Sequence, residues 1–133
     1  MSQQLEFKMV FPTTIERLYE AWLDADIHSA MSGAPATASP DLGAEFTAWE
    51  DYIWGTNLQL LKPHRIVQSW RTSDFLEEDE DSIVTIHLKT VENGAELHML
   101  HTNLPEGSQD RYRQGWQDFY FKPMQEYFEV QNQ

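Results

Sequence analysis

Cysteine is absent from the 133 residues, which excludes disulfides, thiol nucleophiles, thiolate zinc sites and iron–sulfur ligation for this chain. Positive charge is scarce: 9 Lys and Arg stand against 22 Asp and Glu, a formal net charge of −13. Phosphate backbones are captured by clustered cations, so neither nucleic acid nor an anionic membrane is an expected partner. Long apolar runs are also missing. None approaches the ~20 residues of a membrane-crossing helix, and Met1-Ser2-Gln3-Gln4 lacks the basic and apolar regions of a signal peptide. A cytoplasmic protein is expected. What the chain does have is 41% hydrophobic and 13% aromatic residues. A chain of this length buries about two thirds of its unfolded surface, so the expectation is one domain over residues 1–133.

Leu5, Phe7, Met9 and Phe11 alternate with Glu6, Lys8 and Val10, the period of a strand with one buried face. Pro12 ends it. Thr13 and Glu16 have the spacing of a capping box, followed by a helical stripe of Ile15, Leu18, Tyr19 and Trp22. Asp24 and Gly33 bracket a second short helix carrying Ile27 and Met31. Ala34 to Pro40 reads as a loop. Between Gly43 and Trp54, Phe46, Ala48, Tyr52 and Trp54 share one parity, with a turn around Glu50 and Asp51. Leu58 to Leu61 continues the meander. Ile66, Gln68 and Trp70 then form an inner face against the more polar Val67, Ser69 and Arg71. The run Glu77 to Asp81 repels itself and reads as a solvated loop rather than a metal site.

Asn93-Gly94 suits the positive dihedrals of a tight hairpin turn. A turn at those two residues sets Leu88 opposite Met99, Ile86 opposite His101 and Val84 opposite Asn103 on the apolar face, with Lys89 opposite His98 on the polar one. Such a half-buried sheet needs a cover. From Asp110 to Val130, Tyr112, Trp116, Phe119, Tyr120, Pro123, Tyr127 and Phe128 recur at spacings of three and four, the stripe of a long helix with a kink expected at Pro123. The fold class is therefore α+β.

Gly33-Ala34-Pro35-Ala36-Thr37, Tyr52-Ile53-Trp54-Gly55, the stretch Arg65 to Arg71, His101 at a strand end, and Gly115-Trp116 running to Lys122-Pro123-Met124 and Tyr127-Phe128 together resemble one family. It is the family similar to the C-terminal domain of the activator of the ninety-kilodalton heat-shock chaperone ATPase, within the START-like (SRPBCC) helix-grip superfamily. The resemblance spans nearly the whole chain. It implies a curved antiparallel sheet of about six strands around a long C-terminal helix, two short helices after strand 1, and an apolar cavity between sheet and helix. It also implies a heat-shock chaperone as a partner. The eukaryotic activators carry a further N-terminal domain that also engages the chaperone. This chain starts at the first strand of the helix-grip domain, so ligand binding is expected to rank ahead of the chaperone role.

The expected ligand is a small hydrophobic or aromatic molecule, because inward Trp and Tyr offer apolar faces with a few polar tips. The expected cavity lining is Tyr19, Phe46, Tyr52, Trp54, Trp70, Ile86, Met99, His101, Trp116 and Tyr120. His101 points inward on this register, although a histidine near a strand end more often satisfies a neighbouring group than a ligand. His98 lies three residues away on the opposite face, so the two cannot share a metal. His28 and His64 fall in separate regions. Ser69 and Ser82 lack a nucleophile elbow, Glu50 and Asp51 diverge from each other at a turn, and no glycine-rich phosphate loop is present. No catalytic residue, metal or cofactor is expected, a cyclase-like enzyme ranks last, and no feature fixes the oligomeric state.

Overall fold

The computed structural model describes residues 3–131; Met1 and Ser2, part of the start read above for a signal peptide, lie outside the described residues. Seven antiparallel strands form one curved sheet in the order β1-β7-β6-β5-β4-β3-β2. They are β1 (Gln3–Phe11), β2 (Ala36–Thr37), β3 (Glu45–Ala48), β4 (Ile53–Leu61), β5 (Arg65–Thr72), β6 (Ser82–Val91) and β7 (Gly94–Leu104). Two helices, α1 (Ile15–Leu23) and α2 (Ala25–Ser32), follow β1. A long C-terminal helix is built from α3 (Gln109–Trp116), a π-helical turn (Gln117–Phe121) and α4 (Lys122–Gln131). This is the expected helix-grip fold with one strand more, because two residues of the expected Ala34–Pro40 loop pair with β3.

The helix lies across the inner face of the sheet. Phe121 meets Phe7 and Phe128 meets Phe11 on β1, with ring centroids 5.1 and 5.9 Å apart, while Trp116 meets Trp70 on β5 at 5.6 Å. Ile66, Val84, Ile86, Leu97 and Met99 are buried beneath it. Burial at ~25 cal/mol per Å2 of apolar surface makes this seam the main source of stability.

Local signals decide the element ends, with three corrections. Thr14, rather than Thr13, caps α1: its Oγ1 accepts from the N–H of Arg17 at 3.1 Å, and Thr13 Oγ1 is buried without a partner among the described residues. Asp24 caps α2 through Ile27 N–H at 2.9 Å, and Gly33 ends it at φ 82°. The β6–β7 turn is Glu92-Asn93, not Asn93-Gly94. Leu88 faces Leu97, Ile86 faces Met99 and Val84 faces His101, a displacement of two residues that leaves those side chains on the inner face. The cause is a close approach. Gly94 has φ 147° and a Cβ there would stand 2.1 Å from the carbonyl oxygen of Phe11, so the glycine serves the contact with β1. Asn103, expected on the inner face, has φ 59° and donates to the Asp81 carbonyl at 3.0 Å.

The disturbance expected at Pro123 is a π-helical turn just before it, where Lys122 N–H bonds to Gln117 O. The buried residues Tyr112, Trp116, Tyr120, Met124 and Phe128 recur at spacings of four. In a regular α-helix each such step overshoots a turn by about 0.4 residue. One wider turn gives back about one residue of that drift and keeps the stripe on the sheet. It also buries Phe121 and leaves Phe119, an expected stripe member, 52% exposed.

Candidate functional site

Sheet and helix diverge at the end where β4 and β5 meet α3, leaving an apolar cleft of about 250 Å3. Ile53 and Trp70 supply the sheet wall. Tyr112, Gly115, Trp116, Phe119 and Tyr120 supply the helix wall, with Trp49 and Tyr52 from the β3–β4 turn and Arg111 as the one lining cation among the described residues. The turn is strained: Trp49, Glu50 and Asp51 have φ of 54°, 56° and 70° in succession, conformations that disfavour side chains bearing a Cβ. Trp49 meets Phe119 edge-on at 5.0 Å. Its Nε1 is buried without a hydrogen-bond partner among the described residues, a cost of about 1–3 kcal/mol.

Gly115 is the informative wall residue. Its φ is not positive, and a Cβ added to it would meet only Phe119 Cδ2, at an ordinary 4.0 Å. Neither backbone conformation nor packing requires glycine, which costs about 1 kcal/mol against alanine in a helix interior. It leaves the cleft wider than any other residue would.

Behind the cleft the polar groups are satisfied. Trp116 Nε1–H donates to His101 Nδ1 at 3.0 Å, so His101 carries its proton on Nε2 and donates it to Ser82 Oγ at 2.8 Å. Ser82 in turn donates to the Trp70 carbonyl at 2.6 Å. Burial pushes the His101 pKa down to about 3. This serine–histidine pair cannot work as nucleophile and base, since the shared proton already sits on the imidazole and both residues are fully buried. His28 holds the opposite tautomer: Nδ1–H donates to the Trp22 carbonyl and Nε2 accepts from the Tyr120 hydroxyl, each at 2.9 Å. Burial lowers the His28 pKa and raises that of Tyr120. A further chain runs from Trp22 Nε1–H to Gln68 at 3.0 Å and from Gln68 to Asn57 at 2.8 Å. At the rim Tyr52 donates to Asp74, and burial together with that bond pushes its pKa up to about 12. Tyr112 hydrogen-bonds Thr72 at 2.7 Å.

Among the residues expected to line a cavity, Tyr52, Trp70, Trp116 and Tyr120 do so. Tyr19, Phe46, Ile86, Met99 and His101 are buried but stand outside this cleft, filling the core or satisfying neighbours. Trp54 is a correction. It faces the outer side of the sheet and is 39% exposed, because the left-handed run at 49–51 resets the alternation and pairs Ile53 with Ala48 on the inner side. Trp49, Ile53, Arg111, Tyr112, Gly115 and Phe119 were not expected in the lining. Tyr112 and Phe119 belonged to the legible helix stripe, and a glycine inside a helical pattern was the signal for Gly115.

The sequence profile described as Activator of Hsp90 ATPase homolog 1-like protein matches residues 12–129. The human protein "Activator of 90 kDa heat shock protein ATPase homolog 1" is 32% identical over 127 residues, 94% of this chain and 37% of its own length. The chain thus spans little more than a third of the curated relatives it matches. A solved structure of an HSP90 activator from Plasmodium falciparum superposes with a TM-score of 0.76 at 29% identity, covering 90% of each chain. A solved protein from Mesorhizobium loti shares the fold at a TM-score of 0.78 and 17% identity, over 93% of this chain and 95% of its own. The chain belongs to the Activator of Hsp90 ATPase homolog 1-like family.

Proposed function

We propose that the chain, as one helix-grip domain over residues 1–133 working in the cytoplasm, binds a small apolar or aromatic molecule in the cleft between sheet and C-terminal helix, without chemistry of its own. The observation that carries this reading is Gly115, which faces open space inside an aromatic wall where alanine would make a more stable helix. Backbone strain concentrated at the neighbouring Trp49–Asp51 turn supports it. The test is binding of naphthalene-based probes followed through tryptophan fluorescence, since Trp49, Trp70 and Trp116 line the cleft. Gly115→Leu is expected to abolish binding while unfolding at or above the wild-type temperature. Failure of every probe to bind the wild-type chain, or undiminished binding by Gly115→Leu, would overturn the reading.

A second reading is favoured by the relatives. Proteins named as activators of the 90 kDa heat-shock protein ATPase align with nearly all of this chain, which supports a heat-shock chaperone as partner. A change in the chaperone's ATPase rate on adding the chain is the expected result, and an unchanged rate with no complex formed counts against it.

A further inference from the structure

Arg111 stands apart in the cleft wall. Among the described residues it is the one cation in a lining of otherwise aromatic, apolar and glycine residues, in a chain whose net charge is −13. Its guanidinium lies 5.9 Å from the centroid of the Tyr112 ring. Its Nη1 is 3.8 Å from Asp74 Oδ2, beyond hydrogen-bond distance. Among the described residues it donates no hydrogen bond, and its ion pair with Asp74 is long and solvent-exposed, so its planar fork of five N–H donors retains hydrogen-bonding capacity at the edge of the cleft. The carboxylates nearby have other partners that hold them more closely. Asp74 accepts from the Tyr52 hydroxyl through the same Oδ2 that faces Arg111 and is not part of the cleft wall, and Asp110 is paired with Arg113 at 3.0 Å.

Size gives the other constraint. A dry cavity of about 150 Å3 holds benzene, so a cleft of about 250 Å3 suits two fused rings better than a long acyl chain. We propose that the ligand is a flat aromatic acid, its rings among Trp70, Tyr112 and Trp116 and its carboxylate on the Arg111 guanidinium. The inference rests on the cleft being a binding site, and it adds the chemical class of what is bound. The fork matches a carboxylate in a way it cannot match a neutral amide, because both acceptor oxygens are charged and lie in one plane.

The experiment compares two probes of the same shape, 2-naphthoate and naphthalene-2-carboxamide, titrated against the full chain at pH 7 and low salt. Wild type is expected to bind the acid about three- to tenfold tighter than the amide, the range for a partly exposed charged contact. In Arg111→Gln the ratio falls to about one, and Arg111→Lys, which keeps the charge but loses the fork, retains part of it. Circular dichroism of each variant checks the fold. Equal affinities in wild type, or a preference that survives Arg111→Gln, overturn the anion assignment while amide binding still supports the cleft. Binding of neither probe overturns both.

Discussion

Two buried histidines are held as opposite neutral tautomers by what surrounds them, His101 with its proton on Nε2 and His28 with its proton on Nδ1. For both, burial lowers the folded pKa below the ordinary 6.5, in His101 to about 3. Unfolding exposes imidazoles that bind protons at higher pH than the folded ones do. The stabilisation is therefore fully present above pH 6.5 and is lost as the pH falls from 6.5 toward 3, by about 1.4 kcal/mol per unit for His101 once the unfolded form is fully protonated. The prediction is direct: long-range 1H–15N correlation spectra at pH 5 show His101 neutral and protonated on Nε2, while urea unfolding shows stability falling from pH 6.5 to pH 4. An imidazolium pattern for His101 at pH 5 would refute the hydrogen-bond assignment. Inward direction was legible for His101 from strand parity. Its partners were not, because Trp116 and Ser82 reach it from elements far apart in the chain.

Elements were legible where side-chain period and backbone geometry agree, as in β1, α1, α2 and β5. They were misread where one residue answers to a contact instead of a local rule. Gly94 looks like a turn residue and is a close-approach residue; the three left-handed residues at 49–51 have no period to reveal that Trp54 turns outward. Gly55 shows how strict such contacts are. A Cβ at this position of β4 would stand 1.8 Å from the backbone oxygen of Ser69 and 2.8 Å from the Phe46 ring. The ring can turn, but the oxygen belongs to β5 in the next strand and cannot move without breaking the ladder. Gly55→Ala is expected to destabilise by about 3 kcal/mol, at the upper end of overpacking costs, measured by urea unfolding. A loss below about 0.5 kcal/mol would mean the β4–β5 spacing is not as tight as described. Gly115→Ala offers the contrast, since there the added methyl has room.

For the molecule as a whole, sheet, covering helix and family resemblance were legible because periodicity and motif order are properties of one dimension. The cleft was legible only in outline: it exists where the curved sheet leaves the helix, and which rings face it depends on the π-helical turn and the strained 49–51 turn together. The two functional readings use different parts of this molecule, which makes them separable. Ligand binding depends on the interior beside Gly115, whereas a chaperone would meet the outside, where 22 acidic residues outnumber 9 basic ones. Contacts made by such a surface are steered by charge and weaken as salt shortens the screening length to about 8–10 Å and below. If the chaperone reading holds, raising NaCl from about 0.05 to 0.5 M lowers the affinity for the 90 kDa chaperone severalfold, and Gly115→Leu leaves that affinity within about twofold because the substitution changes the apolar cleft and no surface charge. Chaperone binding that vanishes with Gly115→Leu would tie the two readings to one site, and binding indifferent to salt would remove the acidic surface from the argument.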